Sequence, residues 1–354
     1  MARRKDRPIG PLDPRSQQIL RAVIEEYIAS AEPVGSQTLV ERYHLGVSSA
    51  TVRNVMAELE LAGYLSHPHT SAGRVPTEIG YRLYVESIGP RMSLAPVERL
   101  MIRHQFGQVE FASEQWFRLA AATIATATHA AGLATPAKPR SCRLRHVDLV
   151  ATASQTASLV VVLAEGSVKQ ELVPLSEPYD QSELDDVAHL LNAELGGRSA
   201  RQVANRLAQL AQNPDVPALM LRVCQRVERL MQDFDAAAVE DVFSDGLLNV
   251  MSEPEFSQSE KLRRVFAALQ NRDYLGTLVR RLANAQDVQV LIGTENGAVE
   301  MNDVSLVLAT YGDPGRALGV VGVLGPTRMA YPQAIGTVRF VSGLMNELVE
   351  QLYR

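Results

Sequence analysis

Residues 34–82 read VGSQTLVERYHLGVSSATVRNVMAELELAGYLSHPHTSAGRVPTEIGYR. Gly46 breaks the chain after a short helical pattern at 36–44. Ser48 then offers an N-cap for a new helix over 49–62, and Gly63 stands where a left-handed residue ends it. Tyr64 and Leu65 open a strand, 66–73 is rich in turn formers, and Val75-Pro76 resumes an extended run before 77–88 turns helical. Two short helices, a tight turn and a ribbon make the outline of a winged helix-turn-helix, whose second helix has the length to enter a major groove.

In the 49–62 helix, Val52, Val55, Met56 and Leu59 fall at i, i+3, i+4 and i+7 and form the face expected to be buried. The opposite side carries Ala50, Arg53, Asn54 and Ala57. The two alanines let the backbone approach a groove floor. Arg53 can fork onto guanine O6/N7, and Asn54 can pair with adenine N6/N7. Ser48, Ser49 and Thr51 stand at the helix N-terminus, where N–H groups and the dipole favour phosphate. The bland alternative is an ordinary solvated face, against which the following ribbon is an independent signal. In that ribbon His67, His69, Thr70, Ser71 and Arg74 are expected to meet phosphates or the minor groove. His67-Pro68-His69, with no Cys or Asp nearby, is a poor metal set. Ahead of this region, Asp13 caps and Pro14 starts a supporting helix with a core face of Ile19, Leu20, Val23, Ile24, Tyr27 and Ile28. Its polar face is expected to hold Arg21, Glu25 and Glu26.

Bulk properties set bounds. A chain of 354 residues that is 46% hydrophobic has room for two or three domains. Its net charge is −5, and residues 1–90 hold 10 Lys+Arg against 10 Asp+Glu. Affinity for DNA must therefore come from a local patch, namely Arg53, Arg74 and the basic arm Arg3, Arg4, Lys5 and Arg7. The arm is equally readable as a solvated tail. Cys142 and Cys224 form no CxxC and fit a reducing cytoplasm. No apolar run approaches the roughly 18 residues of a membrane span, and the basic N-terminus lacks the apolar stretch of a signal peptide.

The spacing divides the chain into a flexible basic arm (1–11), a winged-helix domain (12–89) and a split domain (90–142 and 239–354) interrupted by an insertion (143–238). Within the insertion, strands at 146–151, 158–164 and 168–175 precede helices at 182–195, 199–211, 217–233 and 236–243. This order indicates an α+β class. After it, 259–285 reads as helical. Strands follow at 288–294, 304–311 and 317–325, then a helix from Pro332 to Leu352. In that helix Val338, Val341, Met345, Leu348 and Leu352 form a stripe that suits packing on its own sheet better than a dimer seam.

Together these residues resemble a known family. LDPRSQQILRAVIEEYI (12–28), SSATVRNVMAELELAGYL (48–65), HTSAGRVPTEIGYRLYV (69–85), EPEF (253–256), IGTEN (292–296) and GVLGPTRMAY (322–331) are similar to the bacterial heat-inducible transcription repressors, the HrcA family. The resemblance implies a homodimer that binds an inverted-repeat operator upstream of chaperone operons and is released on heat stress. It also implies a GAF-like domain and an inserted dimerisation domain of three strands flanked by four helices. Dependence on a GroEL-type chaperonin is a further implication, as is a cytoplasmic location. No cofactor or metal is expected.

Three rivals are weighed. An enzyme requires a nucleophile–base pair or a phosphate loop, and neither has adequate spacing. Gly319, Gly322 and Gly325 lie inside a strand pattern and make no dinucleotide fingerprint. A small-molecule-gated regulator would use a cavity lined by residues 288–325, for which no inward polar constellation is visible. RNA binding lacks an exposed aromatic platform, because Tyr64, Tyr81 and Tyr84 fall at core positions.

Overall fold

The computed structural model describes residues 12–68, 73–89, 94–109, 113–137, 141–164, 166–236, 242–256, 259–271, 274, 277–278, 281–282, 287–313 and 317–352. It is a mixed α/β chain with antiparallel sheets. The chain divides into two compact units: residues 1–136, 241–312 and 319–354, and residues 137–240 and 313–318.

The first unit begins with α1 (Pro14–Ser30). The Asp13 carboxylate accepts from the N–H groups of Arg15 and Ser16 at 3.0 and 3.2 Å. Helix α2 (Ser36–Tyr43) ends on His44 in the left-handed region, and Gly46 turns the chain at φ +68° into α3 (Ser49–Leu61). Strands β1 (Leu65–Ser66) and β2 (Val75–Pro76) pair antiparallel, with Leu65 opposite Pro76. Helix α4 (Glu78–Ile88) follows, its first turn capped by the Thr77 hydroxyl. Ile19, Leu20, Val23 and Ile24 of α1 are buried, as are Leu39, Val52, Met56, Leu59, Tyr64, Tyr81 and Tyr84. One expectation fails. Glu26 is not on a solvated face but is buried at 5% exposure, with an ion pair to Arg42 at 2.7 Å. A carboxylate so placed persists because its desolvation is offset by the guanidinium.

Helix α5 (Pro96–Gly107) and α6 (Ser113–Thr128) lead, through His129 at φ +51°, into β3 (Ala131–Ala134).

The second unit opens with β4 (Leu144–Ala153), β5 (Thr156–Leu163) and β6 (Val168–Pro174), a three-stranded antiparallel sheet in sequence order. Period-2 alternation sends Val147, Leu149, Leu159, Val161, Leu163 and Val173 inward. Against them pack α7 (Gln181–Leu195), α8 (Ala200–Leu210) and α9 (Ala218–Ala236), through residues such as Leu184, Leu191, Val203, Val223 and Val227. Asp180 and Glu183 start α7 as a reciprocal capping box, each bond 2.9 Å. β4 lies at the sheet edge, where amide side chains of α7 take the place of a neighbouring strand. Asn192 bonds both the N–H and the carbonyl of Val147 at 2.8 Å, and Gln181 bonds the N–H of Ala151 and the carbonyl of Leu149. The helix expected over 236–243 is corrected: α9 runs to Ala236, residues 237–241 lie outside the described residues, and Phe243 begins a strand.

The chain then returns to the first unit with β7 (Phe243–Asp245), α10 (Leu247–Met251) and α11 (Ser259–Gln270). β8 (Gln289–Ile292), β9 (Val304–Asp313) and β10 (Ala317–Pro326) complete a sheet of order β7-β3-β10-β9-β8. The expected strand over 288–294 stops at Ile292, because Gly293–Asn296 forms a 3₁₀ turn. Buried Asn296 holds that turn, its amide donating to the carbonyls of Gly293, Met301 and Val304 at 2.8–3.0 Å. Helix α12 (Tyr331–Leu352) closes the unit. Val338, Val341 and Met345 of its stripe are fully buried and Leu348 is half-buried, so this part of the stripe packs inward.

Candidate nucleic-acid interface

Helix α3 carries the candidate surface. Its start is fixed by Ser48, whose hydroxyl accepts from the Thr51 N–H at 3.2 Å and lies 3.0 Å from the Thr51 hydroxyl. Val52, Met56 and Leu59 are buried against the supporting helices, and Val55 is half-buried. The remaining face is left outside: Ala50, Arg53 and Asn54 are exposed, and Ser49, Thr51 and Ala57 are half-exposed. Ser48, Ser49, Ala50, Thr51, Arg53, Asn54 and Ala57 are thus brought together over two turns of one helix. Side-chain donors and small residues on a convex helix face can meet base edges and phosphates, and they supply no catalytic chemistry.

The ribbon is only partly described. His67 is exposed after β1, whereas His69, Thr70 and Ser71 lie outside the described residues. Arg74 sits at the ribbon's base, not at its tip. Its backbone bridges to Val34, with both N–H···O bonds at 2.9 Å. Its guanidinium pairs with Glu60 of α3 at 2.8 Å and is only 17% exposed. In this placement Arg74 braces the ribbon against α3, a link between residues 14 apart that charge pattern alone does not specify. Sequence reasoning also missed Leu61. At 90% exposure it extends the outer stripe one turn beyond Ala57, and the i, i+4 step from Ala57 was the available signal.

Among the described residues, the sheet-rich part of the first unit holds no comparable outward row of donors on one helix face. β10 is buried along its whole length, and β9 over residues 304–309 and at Tyr311. The Cβ of any residue replacing Gly319 would run into the Tyr311 ring. Along those stretches the strands fill a core, and at its margin Val288, Ala309 and Thr310 line a cavity of about 250 Å³ with Arg339 and Asn346. Among the described residues no group of three or more His, Cys, Asp or Glu is placed to hold a metal, and no helix is long and apolar enough to cross a membrane.

Comparison with known proteins agrees over nearly the full chain. The profile of the HrcA protein C-terminal domain matches residues 114–335. Curated proteins described as heat-inducible transcription repressor HrcA are similar throughout. The one from Roseiflexus castenholzii is 42% identical, covering 97% of this chain and 96% of its own; that from Herpetosiphon aurantiacus is 41% identical with the same coverage. The Thermomicrobium roseum protein is 40% identical over 96% of both. A crystal structure described only as a hypothetical protein at 2.2 Å superposes with a TM-score of 0.62, covering 96% of this chain and 99% of that one at 23% identity, a likeness of fold.

Proposed function

Because the chain belongs to the HrcA family of heat-inducible transcription repressors, and so is a negative regulator of heat-shock genes and not an enzyme, we propose that it represses by laying α3 into the major groove of an inverted-repeat operator, twice, as a homodimer. Residues 12–89 are the winged-helix reading head. The five-stranded sheet with its helices is the GAF-like domain, and the three-stranded unit is the inserted dimerisation domain. Arg53 and Asn54 read base edges, while Ser48, Ser49 and Thr51 hold phosphates. Ala50 and Ala57 permit close approach, and His67, His69, Thr70 and Ser71 follow the backbone from the ribbon. Arg74 acts from the ribbon base. The observation that carries this reading is the outer face of α3, which stands clear of the chain's own core while Val52, Met56 and Leu59 on its opposite face are buried.

One head reads too few base pairs to be specific in a genome, so two are needed at fixed spacing. The outer face of the β4–β5–β6 sheet supports the dimer. Val150, Val168 and Leu172 are 43, 60 and 61% exposed beside half-buried Val160 and Val162, apolar surface of the kind that second copies cover. Occupied operator excludes polymerase and needs no chemistry. Heat lowers the native fraction, and a GroEL-type chaperonin restores it in the cytoplasm; operator DNA, which binds only the folded protein, opposes the loss. The test is footprinting of the purified chain on DNA upstream of the organism's chaperone genes. A protected two-fold site is expected, and uniform protection at all concentrations would overturn the reading.

A further inference from the structure

Three sequence segments of the family resemblance lie outside the candidate DNA surface: 253–256, 292–296 and 322–331. The segments 292–296 and 322–331 bond the reading head directly, and 253–256 reaches it through Arg328. Arg328 forks onto Glu253 and Glu255, the Glu255 bond from Nε being 2.6 Å, and reaches the Ile28 carbonyl of α1 at 3.3 Å. Ile28 lies in the last turn of α1, where carbonyls lack helical partners and a positive charge is favourable. That turn has no basic residue of its own. Arg328, 300 positions away, supplies the charge and is itself only 11% exposed.

The start of α4 is held in the complementary sense. Glu78, in its first turn, accepts from the Thr294 N–H at 3.2 Å and from the Thr294 hydroxyl at 2.5 Å. Gly293 adopts φ +52°, a conformation that favours glycine, and a Cβ there would displace the Glu78 carboxylate. One turn along, Arg82 forks onto Glu295 and donates to the Val290 carbonyl at 2.7 Å. Between the two arginine sites the Tyr81 and Tyr331 rings pack at 5.9 Å.

A reading head joined to its neighbour by an ordinary polar interface swings. Forked arginine–carboxylate bonds are directional: the Arg82–Glu295 fork joins the head directly, the Arg328 fork aims a further bond at the end of α1, and Glu78 holds the start of α4. We propose that Arg328, Arg82, Glu295 and Glu78 are positioning residues of operator recognition: they fix the angle of the reading head on the five-stranded sheet and so decide which half-site separation the dimer accepts. This rests on the homodimer–operator reading above.

The test uses the full chain on duplexes whose half-sites are moved apart one base pair at a time, beside a duplex with a single half-site. The unaltered protein is expected to show a sharp optimum. Arg82→Gln and Glu295→Gln, at a pair about one-third exposed, should reduce the preference for the best spacing over the worst by about tenfold, since simultaneous engagement no longer depends on one geometry. Single-half-site affinity should stay within about twofold. The exchange Arg82→Glu with Glu295→Arg should restore the optimum, which a general loss of folding would not allow. An unchanged spacing profile in folded variants overturns the inference, as does parallel loss on single and paired half-sites without restoration by the exchange. If the unaltered protein binds operators of every spacing equally, this inference falls while the repressor reading stands. If it binds none, the repressor reading itself falls.

Discussion

Arg74 at the ribbon base and Glu60 on the inner shoulder of α3 form an ion pair of 2.8 Å that ties the two parts of the candidate DNA surface together. The pair has consequences of opposite sign. Arg74→Ala should loosen the ribbon and weaken binding to all duplexes without changing base preference. Glu60→Gln releases the guanidinium toward phosphate, so binding should strengthen and its salt dependence steepen by about one counterion. Titration at several salt concentrations reads both. Identical slopes in all three proteins would remove Arg74 from the phosphate contacts.

Arg53 and Asn54 stand outward from α3 with no structural burden. Arg53→Ala and Asn54→Ala should each cost about 1–3 kcal/mol on the operator and far less on random DNA. Equal losses on both would contradict base reading.

The 3₁₀ turn at Gly293–Asn296 depends on a donor. Asn296→Asp would point a carboxylate at three buried carbonyls that now accept an amide. The folded state then favours the protonated acid, so its pKa rises above the unfolded value of about 3.9. Stability should approach that of the parent below this pH and fall as pH rises, by about 3 kcal/mol or more at neutrality. Thermal melts from pH 3.5 to 7.5 show the slope. Parallel melting curves would mean the turn is reorganised.

Cys142 and Cys224 are buried and form no disulfide. Burial pushes the Cys224 thiol up to about 11, so it carries little thiolate at neutral pH. Iodoacetamide should label it only at the rate of unfolding, and mass spectrometry of a native time course checks this. Rapid labelling at pH 7.5 would show that the core around α9 opens easily.

Val168→Asp and Leu172→Asp change the exposed sheet face while leaving the core beneath untouched. Under the homodimer proposed above, sedimentation should find these variants monomeric at concentrations where the unaltered chain sediments as a dimer, and operator affinity should fall with it. Dimers of unchanged stability would place the contact elsewhere.

Much of the local structure was legible. Asp13-Pro14, Ser48, Gly46 and Gly63 mark helix ends by backbone rules that act within a few residues, and the observed ends fall within about one residue of those marks. The strands read at 146–151, 158–164 and 168–175 stand at 144–153, 156–163 and 168–174, within two residues at every end. The short outward row of α3 was the complement of its buried stripe. Glu26 was misread because its partner Arg42 belongs to another helix. The helix expected over 236–243 failed because Phe243 pairs in a strand with Ala134, more than a hundred positions away. Leu61 escaped notice because an apolar residue at a helix end reads as core until the space around it is known.

What the chain's order of residues settled unaided is most of its elements and the chemistry of one helix face, since capping, periodicity and donor type are local properties. The fork of Arg328 onto Glu253 and Glu255, its reach to the end of α1, and the grip of Thr294 on Glu78 were decided only when the chain closed on itself. Such bonds join residues up to 300 apart, and no nearby pattern selects a partner at that distance. The packing of the sheet and helices brings those atoms within reach.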